Sequence, residues 1–503
     1  MKKSPSKPKR EPQRLSKNAA AMPRPKAEQG SQRKAEKLLS SPIVKTPKPS
    51  AGAELVLPQE PPAALAQLKA LAAYRMDTVV VIGGGAAGMA AAITAARIAA
   101  AENRPVRVVL LEKADRVGRK LLATGNGRCN LGHTPVTADN YALWEDSATA
   151  KDALKVFLAH RPAEGAAVFL QQLGLLIREE EGRLYPFCGQ ASMVLDVLRA
   201  ALKAAGVVTV CGCNVTNIEK TEEGFCLRAE ASGMPLPVLQ AARVILTAGG
   251  AAAPKLGGCR DGYALAQALG HSCTPLAPAL VGLQCDLRAK DCDGKPMPLL
   301  PGLKGVRAQA TASLYDGDTL LCADTGEIQF NENGLSGIPV LQLSLRLPQA
   351  AAPRMELDVL PQLSVVRLEA MLQSRCTAAV PLEELLLGTV HKKLGYAAMK
   401  CAGLGPLSRT ADTLSGPERE RLVRCLKQLP VIVLGHQGWD GAQTTLGGVP
   451  LTECDPVTCV SLRCAGLYLA GEVLDCAGEC GGFNLDWAFT TGERAGACAV
   501  HSL

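Results

Sequence analysis

Three textures of apolar and polar positions follow one another along the chain. Up to about Ser50 there is no apolar periodicity, and Lys, Pro, Ser, Arg and Gln dominate. Such a stretch cannot bury enough apolar surface to offset the entropy of ordering it. A short Ala/Leu segment, Ala63 to Ala73, has a helical pattern. From Thr78 the pattern becomes strand, glycine turn, helix, strand. Thr78–Ile82 is a β-branched run suited to a strand buried on both faces. Ala86–Ala101 is Ala-rich and helical, and Val106–Leu111 is a second apolar strand ending at Glu112. Asp152–Leu173 and Ala191–Ala205 read as helices; Val207–Ile218, Phe225–Ala229 and Pro237–Leu246 read as strands.

The third texture begins near Pro275. The runs Leu280–Leu287, Val306–Tyr315 and Leu320–Phe330 are separated by turns at Asp316-Gly317-Asp318 and Asp324-Thr325-Gly326, which predicts a small antiparallel sheet or barrel. Val365–Ser374, Leu382–Leu387, His391–Cys401 and Pro417–Leu426 read as helices. After Leu446-Gly447-Gly448 the strand pattern returns, and a last helix runs from about Phe483 to the end of the chain. The simplest architecture is α/β: a Rossmann-like doubly wound domain over residues 77–274, completed by 446–503. It is interrupted by a β-rich subdomain (275–360) and a helical subdomain (361–445). Residues 1–75 stand apart as a basic tail, and there is no internal repeat.

Charge sharpens this division. The 503-residue chain carries a net +8. Residues 1–50 hold 14 Lys/Arg and 3 Glu, a net of +11, so the remainder sums to 8 − 11 = −3. Any attraction to nucleic acid therefore rests on the tail. Two readings of residues 1–75 stay open: translation starts at Met76 and the tail is an artefact of gene calling, or the tail is a basic arm that touches RNA or anionic surfaces. The 19 cysteines follow no apolar signal segment, which suits reduced thiols in a cytoplasmic enzyme. Cys211/Cys213 and Cys476/Cys480 have no partner pairs at zinc-ribbon spacing. Thr78 to Ala95 is uncharged for 18 residues, long enough to suggest a membrane span. Its glycines and the charges close on either side make it instead a buried strand, turn and helix.

The glycines carry the chemistry. In Val79-Val80-Val81-Ile82-Gly83-Gly84-Gly85-Ala86-Ala87-Gly88, Gly83 permits the turn out of the strand, Gly85 lets backbone approach a pyrophosphate, and Gly88 allows helix to pack on strand. The helix N-terminus then turns free N–H groups and a positive dipole end toward the phosphates. Glu112 can accept both hydroxyls of an adenosine ribose and would repel a 2′-phosphate, so the dinucleotide is FAD or NAD rather than NADP. The loop from Gly118 to Asn130, with Lys120, Gly125, Arg128, Cys129 and Asn130, is polar and glycine-rich. It can bring backbone and cations beside phosphates and a flavin ring, which an NAD-only domain does not require. Cys129 reads as a packing residue rather than a redox thiol. Gly481-Gly482-Phe483-Asn484 opens the last helix, whose N-terminus would stabilise the negative charge of a reduced flavin. No Ser/His/Asp or metal constellation stands out, and the six histidines are scattered.

These motifs recur together, with Leu246-Thr247-Ala248-Gly249-Gly250, Gly334-Leu335-Ser336-Gly337 and Gly466 through Asp475, in one group that residues 77–503 resemble. It is the BaiN/YhiN-type FAD-dependent flavoproteins, also called the aminoacetone oxidase family. The resemblance implies that Gly83, Gly85, Ala86, Ala87 and Gly88 line the pyrophosphate and that Glu112 and Lys113 lie at the ribose. It implies that Val215 meets the adenine through its strand and that Ala248, Gly249 and Gly250 form a turn near the dinucleotide. Asp261 resembles part of a Gly-Asp-Gly step, with Arg260 where a small residue is usual. Gly471 and Glu472 resemble a second FAD fingerprint. Cys476 and Cys480 depart from the family pattern, where small or acidic residues are common.

The expected activity is FAD-dependent oxidoreduction. Hydride would pass between the flavin and a small organic substrate in a cleft between the FAD domain and the insertion. Reoxidation would be by oxygen, or reduction by NAD(P)H bound transiently. The alternative is an RNA-associated flavoprotein serving tRNA modification through the basic arm. A flavin-free NAD-binding regulator is disfavoured by Gly471-Glu472. Substrate, catalytic acid or base and oligomeric state are not legible.

Overall fold

The computed structural model describes residues 63–72, 77–290, 295–377 and 379–503. The basic tail and Met76 lie outside these residues. The strand Asp77–Ile82 pairs with Val106–Glu112 on one side and with Arg243–Leu246 on the other, in parallel. Leu467–Leu469 and Val208–Cys211 add the outer strands, giving a five-stranded sheet in which every pairing is parallel. A parallel sheet must be covered on both faces, and Val79, Val80, Val81, Val109 and Leu110 are indeed fully buried. The strands that carry the glycine motif, Glu112, Leu246 and Gly471 all run the same way. Their C-terminal ends therefore open on one edge, where open α/β sheets bind ligands.

The Ala-rich helix Ala86–Ala101 packs on the last helix, Phe483–His501, at very close range. A Cβ on Gly492 would stand 2.2 Å from Ala87 O, and one on Gly496 would stand 2.3 Å from Ala91 O. The two glycines and the alanine face opposite allow backbone-to-backbone contact that any larger residue would prevent. This contact fixes the end of the chain against the helix that follows the first strand.

The insertion is a closed barrel. Its strands run in the order Leu283–Asp286, Gly334–Ser336, Thr319–Asn331, Arg307–Asp316, Pro353–Asp358 and Leu429–His436. The expected boundary at residue 361 falls within one shared core. The helices Val365–Arg375, Lys392–Cys401 and Gly416–Lys427 lie between the fifth and sixth barrel strands in the chain, and Leu368, Leu394 and Leu422 share one core with Leu314, Phe330 and Val431. They form one body with the barrel. Three expected elements differ locally. Asp152–Leu173 is two helices, Ala148–Ala159 and Ala166–Gln172, broken at Gly165 (φ +57°). Val207–Ile218 is two strands in separate sheets, Val208–Cys211 and Asn214–Thr221. Leu382–Leu387 narrows to a single 3₁₀ turn, Leu382–Glu384.

Ala63–Ala72 is helical, and Ala64, Leu68 and Leu71 are buried in the core of the nucleotide domain. Truncating a fully buried leucine removes contacts and leaves a cavity. Leu68→Ala should therefore lower unfolding free energy by about 2–4 kcal/mol, measured by urea denaturation. A chain begun at Met76 should show at least the same deficit; equal stability of long and short chains would mean that this helix contributes nothing.

Candidate dinucleotide cleft and the facing helix terminus

The edge at the strand C-termini holds a cleft lined by Gly83–Gly85, Glu112–Ala114, Gly118–Lys120, Asn214–Val215, Ala248–Gly250, Asp261 and Glu472. Each glycine of the motif has its own reason. Gly83 (φ +104°) turns the chain where a Cβ would lie 2.4 Å from Thr247 O, and a Cβ on Gly88 would lie 1.8 Å from Gly83 O. Gly85 differs: its φ of −78° suits any residue, and a Cβ there would meet nothing within 4 Å. Its missing side chain leaves open space in the cleft rather than relieving a clash. A dinucleotide pyrophosphate needs such a cradle at the N-terminus of a helix.

Glu112 is held in place by backbone. Gly84 N–H donates to Oε2 at 2.6 Å and Ala114 N–H to Oε1 at 2.7 Å. Burial pushes its carboxyl above the ordinary carboxylate range, while these two N–H bonds pull it back. Sequence reasoning passed over Gly84, whose amide orients the acid. Lys113 Nζ meets Asp261 Oδ2 at 2.5 Å across the mouth, and Lys120 Nζ meets Glu472 Oε2 at 2.7 Å. Both pairs join residues singled out separately in the sequence, 148 and 352 positions apart.

From Glu472 a chain of contacts leads to the last helix. Thr445 N–H donates to Glu472 Oε1 at 2.9 Å, and Thr444 Oγ1 to Asn484 Oδ1 at 3.3 Å. Asn484 also binds both backbone groups of Gly478. Gly482 (φ +104°) is the N-cap of Phe483–His501. Asn130 lies against it: a Cβ on Gly482 would stand 2.5 Å from Asn130 Oδ1. That buried oxygen has no hydrogen-bond partner, although buried polar groups ordinarily have one. Thr444 and Thr445 were missed, because only the fold brings the strand Thr444–Leu446 back between cleft and helix.

The loop before Asn130 is strained. Asn126 and Cys129 hold positive φ (54° and 57°) without being glycine, a cost tolerated mainly at functional sites. Cys129 N–H donates to Thr124 O at 3.0 Å. Cys129 is wholly buried, and burial pushes its thiol up to about 12. Its thiol is therefore protonated at neutral pH, and iodoacetamide at pH 7.5 should leave it unlabelled in the folded protein while labelling exposed Cys188. Peptide mass mapping decides it. Arg128 sits on the flank of the same loop. Its guanidinium bonds Glu180 at 2.7 Å and lies 4.1 Å above the Tyr185 ring.

Two buried acids escaped the sequence reading of the site. Asp475 accepts N–H bonds from Trp144, Glu145 and Gly447, tying three loops together, and burial pushes it up to about 6. Asp486, fully buried in the first turn of the last helix, is bonded by Arg161 Nε at 2.5 Å, Arg161 Nη2 at 3.2 Å and Ala166 N–H at 2.9 Å. A lone acid in the apolar run Phe483-Asn484-Leu485-Asp486-Trp487 was the available signal for the second. Among the described residues no group of His, Cys, Asp and Glu forms a metal cluster, and no helix is long and apolar enough to cross a membrane.

Parallel sheet, glycine cradle and an acid at the end of the second strand define a dinucleotide-binding Rossmann protein. The HI0933-like protein Rossmann domain matches residues 77–498, and the chain belongs to that family of FAD-dependent oxidoreductases. A 3-dehydro-bile acid Δ(4,6)-reductase of Clostridium scindens is 35% identical over 84% of this chain and 99% of its own length. A ribosomal RNA dihydrouridine synthase of Escherichia coli is 28% identical over 84% of this chain and 97% of its own. Among solved structures, the open conformation of a flavocytochrome c3 fumarate reductase matches 86% of this chain and 80% of its own at 18% identity, with a TM-score of 0.42.

Proposed function

We propose that this chain reduces an activated double bond of a small organic substrate through its FAD, with NAD(P)H as a transient donor at the flavin face. FAD, when bound, supplies the two-electron hydride chemistry. Gly83, Gly85 and the N-terminus of Ala86–Ala101 would hold the pyrophosphate, with Ala86, Ala87 and Gly88 behind it. Glu112 would hold the ribose, and Val215 the adenine. Ala248–Gly250, Gly471, Glu472 and Lys120 would flank the ribityl chain. Gly125, Asn130 and Gly481–Asn484 would face the ring, where the helix dipole favours negative charge. Lys113 and Asp261 would close the outer rim.

The observation that carries this reading is the pairing of an open cradle at Gly85 with a buried, unpartnered Asn130 Oδ1 beside the last helix. Both fit a bound group that reaches from one to the other. The names of the relatives, a reductase and a dihydrouridine synthase, support the direction of transfer. The test is the visible spectrum of the purified protein, followed anaerobically with NADH and then NADPH. Flavin bands that bleach are expected. Bands that persist would reject NAD(P)H as donor, and a colourless protein after incubation with FAD would reject the cofactor assignment.

A second reading is favoured by the two ribosomal RNA dihydrouridine synthases among the relatives and by the net +11 of residues 1–50: the reduced base belongs to RNA. It requires salt-dependent RNA binding that is lost when residues 1–50 are deleted.

A further inference from the structure

We propose that Arg183 and Arg346 form an anion-binding subsite beside the N-terminus of the last helix, so that the substrate carries a carboxylate or phosphate group. This rests on the function proposed above, which sets the flavin ring against that helix N-terminus.

The placement follows from the strands. His133 is paired directly opposite Arg183, and directly opposed residues point to the same face of a sheet. On that face His133 stacks on Phe483, with ring centroids 4.7 Å apart and planes 18° apart. Arg183 therefore projects on the side of the helix N-terminus. Arg346 comes from the barrel side, just after the helix Ile338–Ser344. Its Nη2 approaches Tyr141 O at 3.5 Å, and Tyr141 pairs with Gly478, three residues before Gly481. The barrel also reaches this point through Gln342, whose Oε1 accepts Cys480 N–H at 2.8 Å. The two arginines thus approach one segment from opposite bodies.

Their hydrogen-bonding state is the reason to assign them a ligand. Among the described residues the Arg183 guanidinium makes no hydrogen bond or ion pair, and that of Arg346 makes only the long contact to Tyr141. Both are half-buried. The carboxylates in the neighbourhood are turned to local partners: Asp324 to Thr325 N–H at 2.8 Å, and Glu479 to Asn140 Nδ2 at 3.2 Å. Both acids and Arg183 act on half-buried Cys480, and both acids and Arg346 act on Cys322, so all four charges share one neighbourhood. A planar five-donor guanidinium that is partly desolvated and unpaired is suited to bidentate capture of an oxyanion.

The test uses benzoate, phenyl phosphate and the uncharged benzamide as probes of the full-length protein loaded with FAD. Binding is read from flavin difference spectra and from calorimetry. Benzoate or phenyl phosphate should bind at least ~10-fold more tightly than benzamide, and Arg183→Gln or Arg346→Gln should each remove that preference while leaving benzamide affinity unchanged. Which of the two anions binds more tightly distinguishes a carboxylate site from a phosphate site. Lys variants at both positions guard against a folding defect and should retain part of the preference. Anions that bind no more tightly than benzamide, or glutamine variants that keep the preference, overturn the subsite. A protein that takes up no flavin overturns the proposed function instead, and calorimetry still decides the subsite.

Discussion

Replacing Gly85 by valine should give a folded protein that no longer retains flavin, whereas replacing Gly88 by alanine should damage the fold itself. The two glycines stand three residues apart in one motif, but their surroundings are opposite. Gly85 has ordinary extended backbone and no atom within 4 Å of where its Cβ would lie. Valine fits there at the cost of a poorer helix N-cap, about 1 kcal/mol. It fills the space that a pyrophosphate would occupy, so FAD affinity should fall by roughly 100-fold or more, equivalent to about 3 kcal/mol. At Gly88 a Cβ would overlap Gly83 O at 1.8 Å and crowd Thr247 Oγ1 at 2.7 Å. Backbone must move, and overpacking of this kind costs about 1–3 kcal/mol or more. The pair is read by equilibrium dialysis against FAD and by denaturation of the apoprotein. Loss of stability in both variants, with FAD affinity unchanged in Gly85→Val, would show that the cleft does not hold the dinucleotide.

The same contrast explains how far the sequence can be read. The Gly83–Gly88 unit is local: strand, turn and helix are contiguous, and each residue's need follows from its neighbours. Glu112 ends the next strand at a spacing that parallel pairing dictates. The barrel was legible as hairpins, because Arg307–Asp316 and Thr319–Asn331 have turn residues between them. Its closing strand, Leu429–His436, was not. The outward positions of that strand include Ile432 and Leu434, which are exposed and apolar, so the period-2 alternation that marks a half-buried strand is missing. It also follows the helix Gly416–Lys427 after a single residue, so no turn signal separates helix from strand. The Arg128 contacts were illegible for a different reason. A cation in a glycine-rich loop has no partner written beside it, and only the hairpin carrying Glu180 and Tyr185 supplies one. Lys120–Glu472 and Thr444–Asn484 are contacts between distant segments and carry no local signature.

Arg161 and Asp486 show what such non-local contacts contribute, and Arg161→Met should be among the most destabilising substitutions in the chain. Asp486 is fully buried and Arg161 nearly so, with side-chain exposures of 0% and 9%. Methionine keeps much of the arginine's volume but leaves a carboxylate without its cation in the interior, a loss of about 3–5 kcal/mol. The acid sits in the first turn of Phe483–His501, where it also complements the helix dipole, and Gly132 and Gly165 pack within 3.2 Å of its Oδ1 by their Cβ positions. A disturbed carboxylate therefore shifts the turn that begins at Gly482, next to Asn130. Flavin affinity should fall along with stability in Arg161→Met. In the double variant Arg161→Met/Asp486→Leu the buried charge is gone, and a well-packed apolar pair can match or exceed an ion pair in stability. Most of the unfolding free energy should return, as measured by urea denaturation. The N–H of Ala166, which donates to Asp486 at 2.9 Å, would remain unpaired and keep the recovery short of complete by about 1–3 kcal/mol. A double variant as unstable as Arg161→Met alone would mean that arginine packing, and not charge compensation, holds the end of the helix.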